Sequence, residues 1–314
     1  MKLSIKENVS LKDKVWFRTG GNARYFCEPL TVQEFQEAFE FARDNNLSVF
    51  VLGHGANVLI SDEGFDGLII HPKKGSLSIG EQSDEFALVT ADAGVLMEEA
   101  IKFTLDNGLT GFEVFSSIPG SIGGSAFINL HYFDALISHF LISAQVIERE
   151  TGKLLTVDNA WFEFGYNQSK LMERKHVLIN ATFKLKKSTD IEVAFARGRS
   201  MEISRHRLSR YPHAYTCGSF FRNFHADEVT LIQNGKKIIW VAYYLDKIGV
   251  KGALSVGGAQ VSYQHANMLV SSDQATSTDI VNLARTMQEM VKAEFGVIPQ
   301  PECIFVGFKE HPLY

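Results

Sequence analysis

Three glycine-rich stretches crowd into the first 125 residues: Arg18-Thr19-Gly20-Gly21-Asn22, Gly53-His54-Gly55-Ala56-Asn57 and Ile118-Pro119-Gly120-Ser121-Ile122-Gly123-Gly124-Ser125. Glycine admits positive φ and lets the backbone approach a ligand with no side chain between them. Successive N–H groups in such loops form concavities that suit phosphate. The second stretch directly follows Leu47 to Leu52, a short apolar run of strand type, as a phosphate loop should. It lacks the GxGxxG spacing and strand-to-helix context of a Rossmann fingerprint, and the GK(S/T) of a P-loop. Any one stretch alone reads as an ordinary turn. Three in one domain point to a dinucleotide cofactor held mainly by main chain.

The surrounding pattern mixes helices and strands. Thr31-Val32-Gln33-Glu34 is a capping box, followed at helical spacing by Phe35, Ala38, Phe39 and Ala42, with Asp44-Asn45-Asn46 as the stop. Strands are predicted over Gly67 to His71 and Phe86 to Ala91, then a helix from Val95 to Asn107. Phe140 to Val157 reads as a hairpin turning at Glu150-Thr151-Gly152-Lys153, and His176 to Leu185 as another strand. Polar residues Lys186 to Asp190 mark the best boundary. Beyond it helices are predicted near Ile191 to Arg205, around Ile238 to Ile248, and from Thr276 or Ser277 with Ile280, Leu283, Met287, Met290 and Val291 on one face. Without regular βαβ repetition, the pattern predicts an α+β fold, not a doubly wound parallel sheet.

Composition closes off other classes. At 45% hydrophobic and 21% charged the chain is neither disordered nor collagen-like. No uncharged apolar run approaches about 18 residues, and the charged N-terminus lacks the apolar core of a signal peptide. The three cysteines, Cys27, Cys217 and Cys303, are far apart with no CxxC pair, which fits a reducing cytosol. A net charge of −5 gives nucleic acid no general support, and the scattered histidines predict no metal site.

Longer motifs carry a resemblance. VLGHGANVLISDEGFDGLII resembles the flavin-diphosphate loop of the UDP-N-acetylenolpyruvoylglucosamine reductase family of bacterial cell-wall synthesis. WFRTGGNA, FEVFSSIPGSIGGSAFIN, TCGSFFRN, YYLDKIGVKGALSVGGAQVSYQHANMLVS and FGVIPQPECIFVG are similar to its other motifs, in the family's order, over residues 16–307. The short stretch from Tyr166 to Ser219 resembles the class without the extra substrate-covering loop. The resemblance implies a two-part FAD-binding domain of the vanillyl-alcohol-oxidase/PCMH type over residues 1–188, and a smaller α+β substrate-binding domain over 189–314. It implies a cytoplasmic enzyme that passes hydride from NADPH, by way of FAD, to the enolpyruvyl double bond of the UDP-sugar. Hydride arrival leaves an enolate, which needs charge stabilisation and a proton.

By the same resemblance Ser219 is the proton donor and Glu302 the acidic residue beside the enolate. Arg18, Thr19, Gly53, His54, Gly55, Ala56, Asn57, Gly120, Gly123 and Gly124 cradle FAD, and Ser117, Ile118 and Asn129 line its isoalloxazine side. Tyr166, Arg222, Asn223 and Gln260 contact substrate. The third catalytic position, an arginine in the family, is Asn167 here, in Phe164-Gly165-Tyr166-Asn167-Gln168-Ser169. An amide carries no charge, so Arg222 or Arg174 is a candidate to compensate. After Asn129 the family's small residues give way to Leu130-His131-Tyr132-Phe133, where His131 packs or caps. Arg197, Arg199, Arg205, Arg207 and Arg210 form either a patch attracting anionic nucleotides or a solvated helix face. Two other readings stay open: a flavin oxidase for a different substrate, and a binding protein without turnover.

Overall fold

The computed structural model describes residues 3–313. Among the described residues six α-helices are formed: α1 (Val32–Asp44), α2 (Met97–Asp106), α3 (Ile122–Phe127), α4 (Asp190–Arg210), α5 (Val241–Lys247) and α6 (Ser277–Phe295). None is long and apolar enough to cross a membrane. Strands are interspersed among them in the α+β manner, and the chain groups into two compact units. The first comprises residues through Glu7, Tyr25–His54 and Gly67–Arg207; the second comprises Asn8–Arg24, Gly55–Asp66 and the chain from Leu208 onward.

The first unit is built on an antiparallel sheet ordered Leu154–Asp158, Leu141–Glu148, His176–Lys187, Phe86–Asp92, Leu77–Gln82. Its core gathers Phe112, Phe115, Phe162 and Phe183, fully buried, with Phe112 and Phe183 meeting edge to face at 5.0 Å. A second cluster in this unit forms under α1. The capping box closes as the sequence predicts: Glu34 N–H donates to Thr31 Oγ1 at 3.2 Å and Thr31 N–H to Glu34 Oε2 at 3.1 Å. Phe35, Ala38, Phe39 and Ala42 then bury one face against Leu68 and Ile70. Ser48–Val51 runs parallel to the strand Phe65–Ile70, with Val51 opposite Ile70. His71 Nδ1 lies 2.8 Å from Leu52 O, which steadies the point where the second glycine loop begins.

The second unit centres on α6. Thr276 and Asp279 cap its start reciprocally, Gly296 in the left-handed region ends it, and Ile280, Leu283, Ala284, Met287 and Val291 turn inward. They pack with Phe220, Phe221, Tyr244 and Leu245. Val58–Ile60 pairs in parallel with Ile304–Val306, near the two ends of the chain, in the register Ile304 to Val58.

Among the elements at which sequence pattern and structure part company are α3 and the strand Leu77–Gln82. The third glycine stretch, read as a turn, winds into α3. Ser121 accepts a hydrogen bond from Gly124 N–H at 3.3 Å as its N-cap, while Ile122, Ser125 and Ala126 are buried. Tertiary burial outweighs the poor helix propensity of Gly123 and Gly124. Leu77–Gln82 is an edge strand whose alternation is blurred by Gly80 and by exposed polar residues.

Candidate functional site

In the first unit the glycine loops close on one another. A Cβ added at Gly53 would lie 2.7 Å from Ser121 Oγ, with Gly124 Cα next at 3.8 Å. Gly123 N–H donates to Ala93 O at 2.9 Å, and its own Cβ would press on Ala93 at 3.1 Å. Gly120 O accepts from Met97 N–H at 3.0 Å. Gly53, Gly120, Gly123 and Gly124 are therefore brought together as a main-chain cradle. His54 is half-buried, and burial first, then the neighbouring His71, holds its pKa below the usual histidine value.

Ser117 and Ile118 follow the turn Phe112–Phe115. One face of α4 holds this segment: Ser200 Oγ lies 2.7 Å from Ser116 Oγ, Ser204 Oγ accepts from Ser117 Oγ at 2.8 Å, and Arg207 Nε donates to Ser117 O at 3.2 Å. The spacing 200, 204, 207 is helical, which is the signal of this face in the sequence. Of those, Arg197 pairs with Asp106, Arg199 lies near Glu113, and Arg205 pairs with Glu202. Arg207 also sits over the Tyr132 ring and Arg210 over Tyr211.

Asn129 links two expected site segments of the first unit: its Nδ2 donates to Gly165 O at 3.0 Å, and its Oδ1 accepts from Ser138 N–H at 3.3 Å. Gly165 and Gln168 close a tight turn that carries Tyr166 and Asn167 at its tip. The His131 ring packs at 5.2 Å on that of Tyr166, and burial lowers its pKa. Both polar atoms of the Asn167 amide are buried with no hydrogen-bond partner. An unsatisfied buried amide costs about 1–3 kcal/mol, so a group that completes it has a place waiting. Arg174 does not join this turn; its guanidinium lies over the Phe50 ring at 5.1 Å.

In the second unit, backbone bonds hold the segment of Ser219 beside that of Glu302. Glu302 N–H donates to Phe220 O at 2.8 Å, and Phe221 bridges Pro301. Gly218 at φ +80° turns the chain ahead of Ser219. Asn267, which no spacing in the sequence singled out, clamps the other side, accepting from Phe221 N–H at 3.0 Å and donating to Phe221 O at 2.7 Å. Asn57 joins the same cluster: its Nδ2 donates to Glu302 O at 3.3 Å, and its O accepts from Ile304 N–H at 3.0 Å. Asn57 Oδ1 is buried and unpartnered. Gly55 O accepts from Trp16 N–H at 3.1 Å, which sets the run Gly55-Ala56-Asn57 against the first glycine stretch.

The remaining expected residues have defined places. Thr19 is buried and accepts from Ser277 Oγ at 3.0 Å. Arg18, at φ +52°, sits over Tyr215 at 5.5 Å. The guanidinium of Arg222 is gripped by both oxygens of Glu228, at 2.6 and 2.8 Å, a pairing that holds the Glu228 carboxyl down at about 2. Asn223 Oδ1 accepts from Val241 N–H at 3.2 Å, and the exposed Gln260 donates to Gly252 O at 3.2 Å. The Cys217 thiol is pushed well above its ordinary pKa, by burial first and then by the Cys303 thiol beside it. Four expected site residues, Arg18, Ser117, Asn129 and Asn167, are among the eleven non-glycine residues at positive φ among the described residues. Such strain concentrates where a site needs its backbone held.

These features fit FAD. The first unit offers a main-chain cradle of Gly53, Gly120, Gly123 and Gly124, with no room for a side chain at Gly53.

Comparison with known proteins bears on the same residues. Residues 23–158 match the family described as FAD binding domain, and residues 211–306 match UDP-N-acetylenolpyruvoylglucosamine reductase, C-terminal domain. A UDP-N-acetylenolpyruvoylglucosamine reductase of Synechococcus sp. (strain JA-3-3Ab) is 31% identical over 312 residues, covering 98% of this chain and 93% of that protein. One from Clostridium perfringens (strain SM101 / Type A) is 30% identical over 304 residues, covering 96% and 93%. The crystal structure of the Thermus caldophilus UDP-N-acetylenolpyruvylglucosamine reductase shares the fold, with a TM-score of 0.74 at 24% identity over 98% of this chain and 99% of that one. With identity of this order sustained from end to end, and a flavin domain preceding the reductase domain, the chain belongs to the UDP-N-acetylenolpyruvoylglucosamine reductase family of FAD-dependent oxidoreductases.

Proposed function

We propose that this protein reduces UDP-N-acetylenolpyruvoylglucosamine to UDP-N-acetylmuramate with hydride from NADPH, as a cytoplasmic enzyme of peptidoglycan precursor synthesis. Residues 1–188 hold the flavin and residues 189–314 the UDP-sugar. The observation that carries the reading is the pairing of Ser219's segment with that of Glu302, steadied by Asn57 and Asn267.

Bound FAD would supply the hydride transfer itself, held by Arg18, Thr19, the runs 53–57 and 117–124, and Asn129. The protein's task is to bind the enolpyruvyl carboxylate, stabilise the charge that develops on it, and deliver a proton. Ser219 is the proton donor. A free hydroxyl is a weak acid, so the groups around it must assist the transfer. Glu302 lies on the adjoining segment and is the acidic residue beside the enolate. Asn167 stands at the family's third catalytic position and offers an uncharged amide donor where the family has a guanidinium. Tyr166, Arg222, Asn223 and Gln260 orient the sugar nucleotide.

The test is optical. Purified holoprotein is yellow, NADPH bleaches it, and the enolpyruvyl sugar restores the colour. Ser219→Ala should leave bleaching intact and slow recolouring by about 10²–10⁴-fold, the range for loss of a general acid. Bleaching that the sugar never reverses sinks the assignment. The uncharged Asn167 favours one competing reading, a protein that binds flavin and UDP-sugar without turnover. It forecasts tight sugar binding and no effect of Ser219→Ala on any rate.

A further inference from the structure

A cavity of about 470 Å³ opens in the first unit, away from the cofactor cradle. It is lined on one side by the end of α1 and the start of the strand Ser48–Val51, and on the other by the hairpin turn after Glu148 and by Arg174 and Lys175. Gly53 and His54 follow the opposite end of that strand, roughly 13 Å from Val49 at the rise of an extended chain. The cavity and the cradle are separate places.

Its charge is unusual. Arg43, Arg149, Arg174 and Lys175 line it against two carboxylates, Glu148 and Glu150, leaving four minus two, or two positive charges. Lys175 pairs with Glu173, outside the cavity. Among the described residues none of the three arginines pairs with a carboxylate. Arg149 donates to Arg174 O at 2.7 Å and to Val49 O at 3.4 Å, and Arg43 donates to Glu150 O at 3.2 Å and Arg149 O at 3.4 Å. Carbonyl oxygens orient a guanidinium but leave its charge uncancelled. Arg174, held at φ +58°, lies over Phe50 and close enough to Arg149 that burial and this like charge lower the Arg149 pKa. Glu148 accepts from the Thr151 hydroxyl at 2.5 Å. Leu47 and Val49 supply an apolar wall, half-buried.

We propose that this cavity binds a small organic phosphate of about mononucleotide size, its anion held by Arg43, Arg149 and Arg174 and its organic part lying on Leu47 and Val49. Converging, unneutralised guanidinium groups repel one another, and a multiply charged phosphate relieves that repulsion through paired charge-assisted bonds. The volume falls within the range of small-molecule sites.

The experiment is calorimetry on the FAD-loaded protein, with inorganic pyrophosphate and ADP as probes. Both should bind, ADP more tightly, and added salt should weaken both. Arg174→Asn with Lys175→Gln should weaken binding at least about tenfold, or ~1.4 kcal/mol, while the flavin spectrum and the rate of bleaching by NADPH stay unchanged. Asparagine tolerates the left-handed backbone at position 174, so the turn survives. Arg43→Gln, on a separate element, should weaken binding in the same direction. Absence of binding, or binding that these variants leave untouched, overturns the proposal. Equal affinity for the two probes removes the organic part.

Discussion

Gly53 shows how much one side chain decides. A methyl at this position meets Ser121 Oγ, and that oxygen is already committed to capping α3. Gly53→Ala should therefore force the loop away from the helix, lower the flavin bound per protein molecule, and cost about 1–3 kcal/mol through overpacking. Flavin absorbance per chain and melting temperature with and without added FAD read out the two effects. Asn167 poses the complementary question, since its amide is unmet and its φ is +51°. Asn167→Arg restores a charge at the cost of about 1–2 kcal/mol of backbone strain. The expected outcome is an equal or higher rate of recolouring by the enolpyruvyl sugar, with slightly lower thermal stability. Loss of turnover with flavin retained shows that the site has been rebuilt around the amide. The position of Asn167 was legible through its motif, but its buried, unpaired state was not. Exposure and partners depend on what folds over a residue, here the turn closed by Gly165 and Gln168 and held by Asn129.

At the scale of elements, local signals served well where they act locally. The capping box of α1 needs only residues 31–34, and it forms as read. Thr31→Ala should remove it at a cost of about 1 kcal/mol, seen as a lower urea midpoint with an unchanged slope. The helix-facing pattern of α6 was likewise complete in its own sequence. By contrast α3 runs through two glycines and is held by Ala93, Val95 and the residues it buries. No window of sequence around it contains those partners. The serine face of α4 was overlooked for a related reason: its meaning lies in Ser116 and Ser117, more than eighty residues away.

For the molecule as a whole, titration links site and stability. Burial is the leading cause that depresses the pKa of His54, His131 and His265 below 6.5. Each binds its proton more weakly folded than unfolded. Their neutral forms cost nothing above that value, and stability falls as pH drops through 6.5 toward the folded pKa values. Glu228 behaves as a depressed carboxylate: with Arg222 gripping it, its contribution is full above 4.5 and is lost as pH falls toward about 2. Denaturation midpoints measured from pH 8 down to pH 3 should therefore decline in two stages, the first beginning near 6.5. Replacing His131 with Asn should make the first stage shallower, His54 and His265 still contributing, and leave the second. The sequence alone determined the α+β class, because capping and periodicity are written within short stretches of chain, and its longer motifs, in their order, carried the resemblance to the family. Tertiary structure alone decided that residues 8–24 and 55–66 fold with the C-terminal third, that Asn57 meets Glu302, and that three arginines line one cavity without a carboxylate ion pair among the described residues. Such contacts join Asn57 to Glu302, 245 positions apart, and Thr19 to Ser277, 258 apart. Only packing, which minimises buried unpaired groups over the whole chain at once, selects among them.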